Sequence, residues 1–178
     1  MKKTTRKWFL RSRNFGGISA LFLSLVTSSS AAPPPVHVDA CKLVDLASVN
    51  AAAQAWFGFP VTLAQDSASG TGSGTCDFTT DKPRHIDISI FYAPSADASR
   101  YGLGQQPPPP NEIPVSGAGD RAVFDQDAGS AGRYKVENLS ILKGHAVLVL
   151  CIMFDQKLAF VAKEKLADFA DRKLVPRM

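Results

Sequence analysis

His37, Asp39 and Cys41 alternate in the run HVDACKLVDL. On an extended strand all three would face one side, and a shared metal ion is the chemistry such a triplet could perform. Three ligands on one strand near a chain end make a poor cage without a fourth from elsewhere, so a solvated histidine and aspartate is the plainer reading, and no metal is expected. Asp125-Gln126-Asp127-Ala128-Gly129 begins like a calcium loop, but position 12 falls on Val136 rather than a carboxylate, which favours a hairpin turn. Gly117 and Gly119 could offer backbone N–H groups to an anion, yet no third glycine, lysine or following helix supports them, and a tight turn is expected. The three histidines, His37, His85 and His145, lie outside any nucleophile-elbow setting. No catalytic residue is assigned, no cofactor is expected, and the chain is read as non-enzymatic.

The cysteines are Cys41, Cys76 and Cys151. A lipid anchor at Cys41 would need the apolar core of an export signal directly before it, but Pro33, Pro34 and Pro35 intervene and Asp39 sits two positions upstream. Cys151 lies inside AVLVLCIMF, where a thiol behaves as a small buried hydrophobe. Cys41 and Cys76 stand at the edges of ordered segments, one before a helix and one opening a strand. In an exported chain these two are expected to form a disulfide, leaving Cys151 as a buried free thiol.

Export is itself a reading of the first 31 residues. Lys2, Lys3, Arg6, Lys7, Arg11 and Arg13 precede the apolar run Ile18 to Val26, and small residues place a signal-peptidase site after Ala31. That run is shorter than the roughly 20 residues of a membrane span, so no stable membrane anchor is expected after cleavage. Thr5 to Leu10 resembles a twin-arginine motif with lysine for the second arginine, which leaves the general secretory route favoured. The destination is periplasmic or secreted. The chain has 20 Lys and Arg against 16 Asp and Glu, but six bases and no acids precede Ala32. The remainder carries 14 bases against 16 acids, a formal charge of −2. A nucleic-acid partner, which demands a basic face, is therefore not expected.

After the signal at 1–31 and a Pro-rich linker at 32–38, residues 39–178 are long enough for one core. Asp45 can cap a helix LASVNAAAQAWFG whose stripe is Leu46, Val49, Ala53, Trp56 and Phe57, ended by Gly58 and Pro60. A Ser, Thr and Gly-rich stretch from Asp66 to Thr75 has no periodicity. It reads as a loop, and Asp66, Ser67, Ser69, Thr71 and Ser73 are its candidate binding residues. Strands are expected at Cys76–Thr79 and His85–Tyr92, the second alternating Ile86, Ile88, Ile90 and Tyr92 with polar residues. A short helix from about Ser95 to Leu103 precedes a Pro-rich crossover at 104–114, with Pro107 to Pro110 in polyproline form. Strands follow at Asp120–Gln126, at Leu139–Leu142 with Arg133–Glu137 as an extended stretch before it, and at His145–Phe154, the last apolar on both faces and hence central and doubly covered. A helix from Gln156 to Lys173 closes the chain with Leu158, Val161, Ala162, Leu166, Phe169 and Ala170 inward. The order α-β-β-(α)-β-β-β-α describes an α+β fold, one antiparallel sheet packed by an N-terminal and a C-terminal helix.

Asp39-Ala40-Cys41-Lys42-Leu43-Val44, Cys76-Asp77-Phe78 and Val115-Ser116-Gly117-Ala118-Gly119-Asp120-Arg121-Ala122 occur in that order. This pattern resembles families of small secreted or lipid-anchored bacterial domains of unknown function. In outline it is also similar to the extracellular sensor domains of actinobacterial serine/threonine kinases. The resemblance implies an export-compartment α+β domain with a Cys41–Cys76 bridge and supplies no catalytic residues. Two roles remain. One is a binding or sensor-like domain for a small ligand, using the sheet face or the 66–75 loop. The other is an interaction partner, such as an immunity or accessory protein for an exported effector.

Overall fold

The computed structural model describes residues 37–67, 72–101, 103–104, 111–127 and 133–178. Val38 to Val44 enters through a 3-10 turn, Ala40–Leu43, whose first free N–H groups are met by the Asp39 carboxylate accepting from Cys41 N at 3.1 Å. Helix α1, Leu46–Phe57, starts where the sequence places it: Asp45 accepts from Ser48 N at 2.7 Å, and Gly58 ends the helix in the left-handed region at φ 86°.

Among the described residues, seven strands form one sheet: β1 Thr62–Ser67, β2 Gly74–Thr80, β3 Ile86–Ala93, β4 Ile113–Val115, β5 Arg121–Asp127, β6 Tyr134–Lys143 and β7 Ala146–Asp155. Their order is β1-β2-β3-β7-β6-β5-β4, with antiparallel pairing throughout. Two meanders therefore meet at β3 and β7. The chain crosses between them once, from the middle of the sheet at Ala93 to the far edge at Ile113. Helix α2, Lys163–Lys173, and a 3-10 turn, Val175–Arg177, follow.

Alternation along each strand sorts side chains onto two faces. On one face Phe78, Ile86, Ile88, Ile90, Leu139, Ile141, Leu148, Leu150, Ile152 and Phe154 are all but fully buried. Each such aliphatic side chain contributes roughly 1.5–3 kcal/mol by leaving water. The two helices cover this face. Trp56 of α1 meets Phe169 of α2 edge to face at 5.4 Å, and Phe57 lies 5.2 Å from Phe154 of β7. Cys41 and Cys76 are bonded, with Cα atoms 5.0 Å apart, and tie the entry turn to β2 as expected.

Several expectations are corrected. The 66–75 stretch is not simply a loop: Asp66 and Ser67 pair in β1 with Cys76 and Thr75 of β2. An edge strand held by one neighbour carries little hydrophobic periodicity, so the sequence gives no signal for it. The three-residue strand β4 holds Pro114, which an edge tolerates because only one side of it needs ladder hydrogen bonds. The segments expected at Arg133–Glu137 and Leu139–Leu142 are one strand. The helix expected from Ser95 shrinks to a 3-10 turn at Ala98–Tyr101.

Helix α2 begins at Lys163, not Gln156, because β6 side chains capture the backbone that a longer helix would use. Lys135 Nζ donates to Leu158 O at 2.7 Å, and Glu137 Oε2 accepts from Val161 N at 3.2 Å. Val161 is still buried and Leu158 still packs on the core, but Ala162 is exposed, and so is Leu46 on α1. The polyproline segment 107–110 lies outside the described residues.

A recess on the open face of the sheet

The second face of the sheet is polar across its middle. Register aligns Asp77 with Ser89, Ser89 with Cys151, Cys151 with Asn138, and Asn138 with Asp125. One polar row thus crosses β2, β3, β7, β6 and β5. The row beyond it, towards the chain crossing, is Thr75, Phe91, Val149, Ser140 and Val123. The next is Ala93, Val147, Leu142 and Arg121, which is roofed by residues 96–101 and Leu103: Leu103, Val123 and Val147 form a small second core with Ala96, Ala98 and Tyr101 against it. The central strand is thus roofed at one end only. Further along the face, Val149, Cys151 and Met153 stay half-buried, which corrects the expectation of a strand covered on both sides.

Where the roof ends, a recess of about 370 Å³ opens. Phe91 and Tyr101 form one wall, their rings stacked at 5.6 Å and inclined by 29°. Val149 and Ser140 lie beside them, with Asp125, Asn138, Glu112 and Arg100 completing the lining. Asn138 Nδ2 donates to Asp125 Oδ1 at 2.9 Å, so one carboxylate oxygen is fixed and the amide is oriented. Arg100 is exposed at the rim, with its Nε 3.9 Å from Asp97. Glu112 Oε2 is enclosed, with no hydrogen-bond partner among the described residues.

Carboxylates set the potential of this face. Burial raises the Asp87 pKa, the Asp77 charge raises it further, and His85 works in the opposite direction. Burial, followed by the charges of Asp87, Asp125 and Asp77, pushes the Cys151 thiol up to about 11. Cys151 is free, as expected, but half-buried rather than enclosed, and in this field it stays protonated and a poor nucleophile.

The other sequence candidates disperse. Cys41 is spent in the disulfide, Asp39 caps the entry turn and pairs with Lys42 at 3.5 Å, and His37 is exposed, so the alternating triplet is not a cage. No group of three metal-ligating side chains occurs among the described residues. His85 Nδ1 is engaged by Asp81 at 2.8 Å, with its ring 4.7 Å from that of Tyr134, at the opposite end of the face from the roof.

The Gly117–Gly119 segment is a structural clasp. Asp120 N donates to Leu142 O at 2.8 Å, and Asp120 Oδ2 accepts from Gly144 N at 2.7 Å. Gly119 has φ 62°, and a Cβ there would stand 2.5 Å from Leu142 O, so no other residue fits that approach. A wider concavity of about 720 Å³ runs along Pro114–Val123, but this clasp has already used the Asp120 carboxylate within it, and Arg121 Nη1 donates to Leu103 O. Of the residues considered on the 66–75 stretch, Asp66 and Ser67 end β1 and Ser73 precedes β2, while Ser69 and Thr71 lie outside the described residues.

Sequence reasoning missed Phe91, Tyr101, Asp125 and Asn138 as a group, since they come from four separate segments. The available signal was the alternation itself, which puts Asp77, Ser89, Asn138 and Asp125 opposite the core positions. The chain matches no family model, no curated protein and no solved structure. No described helix is long and apolar enough to cross a membrane.

Proposed function

We propose that this protein is an exported, non-catalytic binding domain that holds a small ligand in the recess on its open sheet face. The observation that carries the reading is the stacked Phe91–Tyr101 pair beside the Asn138–Asp125 hydrogen bond. Flat apolar surface and a fixed polar pair converge there on one opening, the usual make-up of a small-ligand site. The disulfide supports an oxidising compartment. Cleavage after Ala31, delivery by the general secretory route and kinship with small secreted bacterial domains of sensor type belong to the same proposal. The protonated Cys151 thiol and the Asp81-engaged His85 support binding over catalysis.

The test is native mass spectrometry of the chain from Ala32 onward, isolated from the export compartment, beside its Tyr101→Ala variant. The expected result is a small molecule retained by the parent and lost from the variant. Retention that is indifferent to Tyr101 would overturn the assignment.

The second reading, an interaction partner for an exported protein, rests on the groove between α1 and α2. That groove has an apolar floor of Trp56 and Phe169 and a mixed-charge rim that includes Glu164, Lys165 and Arg172. A stoichiometric protein complex that persists in the Tyr101→Ala variant would favour it.

A further inference from the structure

Charge and ring geometry together narrow the ligand class. Five carboxylates, Asp77, Asp87, Asp125, Asp127 and Asp155, project from the described strand residues of the open face, against a single base among those strand residues, Arg121; Asp155, at the far end, lies 3.8 Å from Arg84 of the adjoining turn. Arg121 stands at the roofed end, where its guanidinium serves Leu103 O. Arg100, the one base lining the recess, is exposed at the rim beside Asp97. Inside the recess the carboxylates are Glu112 and Asp125, and Glu112 brings an enclosed oxygen with no partner among the described residues. An enclosed carboxylate oxygen left unpaired is costly, and a donor supplied by a ligand removes that cost. The faces of Phe91 and Tyr101 carry negative quadrupole potential and attract a cation held close to them.

We infer that the recess selects an organic ammonium ion on an aromatic frame, with its amine directed to Glu112 and Asp125 and its ring against Phe91 and Tyr101. This rests on the recess being the binding site. An anionic ligand would meet Asp125 and Glu112 with no facing base except Arg100 at the rim. A neutral one could donate a hydroxyl to the Glu112 oxygen but would bring no charge to offset the two carboxylates.

Three probes of nearly one shape separate these cases by calorimetric titration of the mature chain: tyramine as cation, 4-ethylphenol as neutral analogue and 3-(4-hydroxyphenyl)propionate as anion. The expected result is tyramine binding about tenfold tighter than the neutral probe, with the anion weakest. That preference should collapse in the Glu112→Gln, Asp125→Asn double variant, while Tyr101→Ala should weaken all binding. Equal binding of the three, or preference for the anion, would overturn the ligand class and leave the recess as the site. Failure of every probe to bind, or tyramine binding indifferent to Tyr101→Ala, would overturn the recess reading together with the inference.

Discussion

Replacing both Cys41 and Cys76 by serine is expected to lower the unfolding free energy by about 4 kcal/mol. The bridge closes a loop between residues 35 positions apart, and the cost of closing such a loop in the unfolded chain is what the bond removes. Inside that loop lie α1 and β1, an edge strand with one partner. Single-domain stabilities run to about 5–15 kcal/mol, so the variant should sit near the limit of folding. Urea unfolding of the oxidised parent and the double-serine variant measures the difference. A midpoint unchanged by the substitution would mean that the N-terminal third is held by packing alone. Replacing both residues avoids an unpaired thiol, so that aggregation through Cys41 or Cys76 does not enter the result.

The second large effect is a pH dependence centred on Glu137. This side chain is fully buried on the core face of β6. Burial raises its pKa to about 7, opposed by the N–H of Val161 and the charge of Lys135. The other oxygen, Oε1, has no partner among the described residues. Between the ordinary glutamate value of 4.5 and about 7 the folded state binds the proton that the unfolded chain has released. Stability is therefore full below about 4.5, falls as pH rises through that window, and is lowest above about 7.

The Glu137→Gln variant keeps an oxygen for Val161 N and carries no charge. Its stability should be flatter between pH 5 and 8, with a gain over the parent that grows to at most about 3 kcal/mol at the alkaline end. Thermal midpoints of both proteins across that range supply the test, and parallel profiles would contradict the account. Asp87 is shifted in the same direction, and comparing the two proteins removes its contribution.

The elements legible from sequence were those with strong local signals. Asp45 and Gly58 bracket α1 because a short polar side chain and a left-handed glycine each satisfy free backbone groups. Alternation in Ile86–Ala93 and the unbroken apolar run of Ala146–Asp155 placed β3 and the central β7. The cysteine contexts pointed to the right pair.

What stayed hidden depends on distant partners. β1 and β4 are strands only because β2 and β5 offer an edge to pair with. Residues 156–162 stay out of the helix because Lys135 and Glu137, more than 20 positions earlier, hold their backbone groups. The apolar look of AVLVLCIMF suggested cover on both faces, whereas Val149, Cys151 and Met153 line a half-open surface whose cover ends with the roof of Ala96, Ala98, Tyr101 and Leu103. The recess was illegible for the same reason. Register alone brings Phe91, Asn138 and Asp125 side by side, and register is set by the whole sheet.

The measurement that bears most directly on the central claim is a ¹H–¹⁵N correlation spectrum of the mature chain, recorded before and after titration with small-molecule extract from the export compartment. The account predicts shifts confined to Phe91, Tyr101, Glu112, Asp125, Asn138, Ser140 and their immediate neighbours, saturating together. Shifts along α1 and α2, or a spectrum that does not change, would contradict it.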